Sequence, residues 1–80
     1  MDAKTLIDNA HRYREQEALV GKGGVVVFYQ GEVQGWSSQL RNADHWRPGC
    51  IAVDEQGRTW TTIAGSEHDG ALMWLPNHEL

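Results

Sequence analysis

Cys50 follows His45 by five residues, and His68 stands beside Asp69 in a polar stretch bounded by Gly65 and Gly70. A thiol near an imidazole can form a nucleophile–base pair, and a carboxylate can orient that base. His45, Cys50, His68 and Asp69 are therefore the set from which a small hydrolase or a metal-dependent enzyme would be built. Their spacing argues against that use. Structural and catalytic zinc sites draw ligands in pairs at short fixed intervals, and the sequence contains no HxxxH or CxxC pair. His78, Asp44 and Glu67 could join the set only by gathering at one end of a sheet. The adjacent residues 68 and 69 send their side chains in different directions. Glu67 and Asp69 could serve as acid and base only inside a cleft that shifts their pKa values, and a glycine-flanked turn offers none. No metal and no cofactor is expected, and His11 falls on a polar helix face.

Gly21-Lys22-Gly23-Gly24 has the composition of a phosphate-binding loop. Such a loop follows a strand and opens a helix, so that the first helical amides point at the anion. This one follows a helical pattern and opens a strand, which makes it a connector.

The aromatic residues carry more weight. Four tryptophans, Trp36, Trp46, Trp60 and Trp74, fall in four different segments at intervals of 10, 14 and 14 residues. Each indole can bury roughly 150–250 Å² and needs a partner for its N–H. An 80-residue chain rarely has room to bury four fully. Some are expected in the core, and others at the surface, where indoles anchor protein partners. Trp60, Trp74, Trp46, Trp36 and Tyr29 are the residues expected to carry such binding.

The net charge of −4 comes with seven scattered Lys and Arg residues. A nucleic-acid binder would show a clustered basic surplus, so nucleic acid is not the expected partner. The acidity suits a basic protein surface. Cys50 is the only cysteine. An internal disulfide is thereby excluded, which fits a reducing cytoplasm. The start of the chain lacks a signal-peptide pattern, and no apolar run reaches the length of a membrane span.

The elements that would position these residues are legible from periodicity. Ala3, Leu6, Ile7, Ala10 and Tyr13 recur at helical spacing and predict an amphipathic helix over about 2–18, with Asp2 as its N-cap and an end at or before Gly21. Val25 to Tyr29 is continuously apolar and predicts a strand over about 25–30 that is contacted on both faces. Residues 32–36 form either a second strand or a bulged continuation of the first. Residues 38–43 could make one helical turn. Asp54-Glu55-Gln56-Gly57 predicts a type I turn with a glycine bulge, joining strands over about 50–54 and 58–64. In that register Asp54 faces Arg58, Ala52 faces Trp60, and Cys50 faces Thr62, all on one side. Ile51, Val53, Thr59, Thr61 and Ile63 lie on the other. A last strand over about 71–75 ends at Pro76, and the tail 77–80 is expected to be loose.

These elements predict an α+β domain, an N-terminal helix on a three- or four-stranded, mostly antiparallel sheet. One helix covers two or three strands on one face only. The face bearing Trp60 therefore needs another cover, supplied by the loop from Ser37 to Gly49 with Leu40 and Trp46, by a second copy, or by a partner. The expected function is non-enzymatic: a protein-binding or inhibitory module with an aromatic sheet face and an acidic rim, whose partner is another protein or its own copy. The alternatives are the small enzyme described above and a module that stacks a flat ligand on exposed indoles.

Overall fold

The computed structural model describes residues 3–40 and 43–77. One helix, α1 (Ala3–Gln16), precedes five strands: β1 (Val25–Tyr29), β2 (Glu32–Ser37), β3 (Cys50–Asp54), β4 (Thr59–Ile63) and β5 (Met73–Asn77). A short 3₁₀ turn, Ala43–His45, lies between β2 and β3. The sheet runs β2-β1-β3-β4-β5 with every neighbouring pair antiparallel. The fold is thus α+β with one helix on an antiparallel sheet.

The sheet has five strands rather than three or four, because Glu32–Ser37 is a strand of its own that turns back on β1. Its register shifts between Val27 and Phe28. Gly31 forms the tight turn between the two strands at φ 84°, and the bulge falls beside Gly35. The last strand lies two residues later than expected, at Met73–Asn77, and includes Pro76. Proline cannot donate to a ladder, but an edge strand has a side where no donation is needed. Ala71 donates its N–H to the Trp46 carbonyl instead, at 2.9 Å. Asp2, expected to cap the helix, and the tail 78–80 with His78 lie outside the described residues. So do residues 41 and 42 of the expected turn over 38–43.

The helix ends at Gln16, before the glycines. Leu19 N–H donates back to the Arg14 carbonyl at 2.8 Å, while Ala18 takes the left-handed conformation with φ 58°. These are the marks of a Schellman-type stop. The β3–β4 turn forms as expected. Ala52 stands opposite Trp60, and Asp54 N–H donates to the Arg58 carbonyl. The Asp54 carboxylate accepts the amides of Gln56 and Arg58 and the Arg58 guanidinium, and Gly57 sits at φ 86°.

The sheet carries an apolar cluster on each face. On the helix side Leu6 and Ala10 pack on Val26, Phe28 and Val53, with Ile7, Tyr13, Val33, Trp36 and Ile51 around them. On the other side Val25, Val27, Cys50 and Ala52 lie beneath Tyr29, Leu40, Trp46, Trp60 and Trp74. β1 serves both, with alternate residues facing opposite sides, as its continuous apolar run requires.

Candidate binding surfaces

The loop between β2 and β3 folds over the face opposite the helix, and Trp46 is its main cover. It passes close to β2 at Gly35, where a Cβ would lie at an ordinary contact distance of 3.9 Å from the Trp46 ring. The segment is pinned at several points. Trp46 N–H donates to the Ala43 carbonyl, and Gly49 N–H to the Thr62 carbonyl. The buried Thr62 hydroxyl accepts from the Cys50 amide and donates to the Arg47 carbonyl, both at 2.8 Å. The Arg47 guanidinium stands 4.6 Å from the centre of the Tyr29 ring, within cation–π range. Gly70 packs directly against the Asp44 backbone, leaving no space for a side chain. The loop ahead of β5 is therefore seated on the 3₁₀ turn.

This cover distributes the aromatic residues unevenly. Trp36 belongs to the helix-side cluster, and its N–H donates to the Gly23 carbonyl at 3.0 Å. Tyr29, Trp46, Trp60 and Trp74 belong to the other face and are half-buried. Trp60 and Trp74 lie on β4 and β5, with Trp60 opposite Pro76 and Trp74 opposite Thr62. The Trp74 Nε1 is buried and meets no acceptor among the described residues.

The largest exposed apolar groups are aliphatic and lie elsewhere. Leu72, Met73 and Leu75 are 74, 51 and 46% exposed. Met73 pairs with Ile63 and Leu75 with Thr61, while Thr61 pairs with Ile51 and Thr59 with Val53. Met73 and Leu75 therefore share the helix side of the sheet with Ile51 and Val53. The helix packs over β1 and β3 and leaves this end of the face uncovered. The continuous apolar run of 71–75 held the signal for it, since such a strand has an apolar residue on each face while the one helix covers only part of one.

A polar cluster gathers where the glycine turn meets the β3–β4 hairpin. Arg14 is 2% exposed. It donates to the carbonyls of Gly23 and Gly24 at 2.7 and 2.9 Å, and its guanidinium lies 3.8 Å from the Glu55 carboxylate. Glu55 in turn accepts the amides of Gly21 and Gly23 at 2.8 and 2.6 Å. The Gly21 amide, then that of Gly23, hold the Glu55 carboxyl below its usual range, and the Arg14 charge adds to the effect. The glycine turn does bind an anionic group, but that group is the chain's own carboxylate. Arg14 continues the stripe of Leu6 and Ala10 at four-residue steps, which was the sequence signal for its burial.

The residues of the enzymatic alternative are not brought together. Cys50 is 1% exposed in the core, whereas His45, His68 and Asp69 are exposed on loops. No hydrogen bond or ion pair joins any two of the four; Asp69 bonds Ser66. Burial pushes the Cys50 thiol up from its usual value, with partial opposition from the Thr62 hydroxyl and the Arg47 charge. A raised thiol is a poor nucleophile at neutral pH. Among the described residues no three His, Cys, Asp or Glu side chains are placed to hold a metal ion, and no helix is long and apolar enough to cross a membrane. The chain matches no protein-family model, no curated protein and no solved structure.

Proposed function

We propose that the chain is a non-enzymatic protein-binding module that docks through the β5 end of its sheet. The observation that carries this reading is the exposure of Leu72, Met73 and Leu75 on and beside an edge strand. An unpaired edge offers backbone donors and acceptors, and alternate side chains supply specificity, the two elements of recognition by strand addition. Trp60 and Trp74 flank the same edge on its other face, as half-buried anchors. Tyr29, Trp46 and Trp36 act behind them by holding the sheet and its covering loop. The exposed Asp44, Glu67 and Asp69 give the start of β5 an acidic rim, suited to a basic flank on the partner. Blocking such a flank would make the module inhibitory. A reducing cytoplasm is the setting that suits the buried, unpaired Cys50.

The test compares wild-type protein with the Leu75→Lys variant as bait, with circular dichroism to verify that both are folded. A partner retained by the wild type and lost from the variant is the expected result. A wild type that stays monomeric and retains nothing would remove the proposal.

A further inference from the structure

We infer that the occupant of the β5 edge is a second copy of this chain, its β5 paired antiparallel with the first about a two-fold axis. The inference rests on the reading of β5 as the docking edge and names what docks there.

The two edges of the sheet are built differently. β2 presents exposed Glu32 and Gln34 and carries the register shift beside Gly35. Charge, bulge and glycine are devices that keep an edge from accepting another strand. β5 has only Pro76, near its end. From Gly70 to Asn77 there is no Asp, Glu, Lys or Arg, and no uncharged run in the sequence is longer than the one holding this segment. That matters for a chain of net charge −4. Two copies of an acidic protein repel least where the meeting strands carry no charge, and the rim of Asp44, Glu67 and Asp69 lies ahead of β5 rather than on it. Of the two edge strands, only β5 satisfies that condition along its whole length.

The side chains of β5 also match their own image. Antiparallel pairing about a two-fold through Trp74 sets Met73 of one copy opposite Leu75 of the other, and does so twice. Both pairs fall on the helix side, where Met73 and Leu75 are exposed. Pro76 stands opposite Leu72 at the end of the ladder, where its missing N–H interrupts no central bond. A standard interface buries roughly 800 Å² per partner. One five-residue strand edge provides less, so the dimer is concentration-dependent.

Sedimentation equilibrium of the full chain over a wide concentration range tests the pairing. The wild type is expected to rise toward twice its monomer mass. Met73→Glu and Leu75→Lys, each alone, should weaken association by at least about tenfold, while Gln34→Lys on the opposite edge should leave it unchanged. Mixing the Met73→Glu and Leu75→Lys proteins should restore association, because the two-fold register sets the new charges against each other. Circular dichroism verifies folding of each variant. A wild type that stays monomeric overturns the inference. If such a monomer still binds a foreign partner that Leu75→Lys loses, the docking edge stands and only its occupant is wrong; if it binds none, both fail. Dimers unaffected by Leu75→Lys would place the contact elsewhere. Two weakened variants that do not recover on mixing would rule out the two-fold register.

Discussion

Arg14 and Glu55 meet across the glycine turn at 3.8 Å, and each holds backbone groups of the opposite polarity. Arg14 holds carbonyls of Gly23 and Gly24, and Glu55 holds amides of Gly21 and Gly23. The pair fastens the helix, the turn after it and the β3–β4 hairpin to one another. Trp36 on β2 adds a fourth attachment through the Gly23 carbonyl.

Replacing Arg14 with Met keeps the buried stem but removes the guanidinium donor from the Gly24 carbonyl and leaves the Gly23 carbonyl with the Trp36 N–H. Hydrogen bonds to a charged group contribute more than neutral ones, and removing one member of a buried polar set leaves the others unpaired. Arg14→Met is expected to lose about 3 kcal/mol, read by urea denaturation. A loss no larger than for an exposed cation such as Arg12→Met would show that the clasp contributes nothing.

Acidification should act on the same cluster through Glu55. Its carboxyl titrates below its usual range in the folded chain, so the unfolded chain binds the proton first as pH falls. The stability it contributes is present above the unfolded pKa and is lost as pH drops through the folded one. Glu55→Gln should therefore be less stable than wild type at neutral pH. The gap should narrow through and below the ordinary carboxylate range. Melting temperatures of both proteins measured against pH check this; parallel curves would contradict it.

At the β3–β4 turn the constraint is conformational. Gly57 has φ 86°, and a Cβ there would only touch Ile7 at an ordinary 3.4 Å. Space is not the obstacle, but a β-branched residue resists that φ. Gly57→Val should cost more than about 1 kcal/mol, and Gly57→Asn clearly less, since Asn tolerates left-handed backbone. Equal thermal stability of the two variants would refute the conformational cause.

Two indoles differ in what their N–H meets. The Trp36 donor reaches the Gly23 carbonyl, whereas the Trp74 donor is buried without an acceptor among the described residues. Phenylalanine at 36 leaves a carbonyl with one fewer donor, at about 1 kcal/mol beyond lost contact. Phenylalanine at 74 removes an unsatisfied group along with the contact. Trp36→Phe should lower the melting temperature more than Trp74→Phe, and the reverse order would mean that the Trp74 donor is satisfied in solution.

Cys50 is expected to behave as a packing residue. Its thiol is buried and raised, so alkylation in the native state should follow global opening rather than thiolate chemistry. Cys50→Ala should cost about 1 kcal/mol and leave binding through β5 intact. Rapid modification at neutral pH under native conditions would contradict the burial.

The residues that revealed the fold in the sequence were those whose pattern repeats. Leu6, Ile7, Ala10 and Tyr13 marked the helix, the run from Val25 to Tyr29 a strand contacted on both faces, and Asp54 with Gly57 the turn. The loop carrying Leu40 and Trp46 was foreseen as a possible cover because one helix cannot span both faces. Three features escaped. Arg14 is one of seven scattered cations in the sequence, although its position on the Leu6–Ala10 stripe implies burial. Pro76 was read as a stop, since sequence alone does not show which strand lies at an edge. The candidate surface was sought among indoles, yet the packing of Trp46 over Gly35 and of Trp36 against Gly23 draws two of them inward. Three of the exposed large apolar side chains, Leu72, Met73 and Leu75, lie together on and beside β5, with Val20 exposed apart from them in the turn after the helix. Which aromatic is covered depends on contacts between distant segments, and local periodicity carries no information about those.

The strand order β2-β1-β3-β4-β5 has a kinetic consequence. Three of its four pairings join strands that are consecutive in the chain, and only β1 with β3 does not. The chain can thus assemble as two local halves, one with α1, β1 and β2, the other with β3, β4 and β5. The seam from Val25–Asp54 to Tyr29–Cys50 requires closing the longest of the sheet's connections before any contact rewards it, an entropic cost that the local hairpins do not meet. Val26 and Val53 face each other at that seam, and substitutions there are expected to slow folding more than substitutions at either hairpin turn.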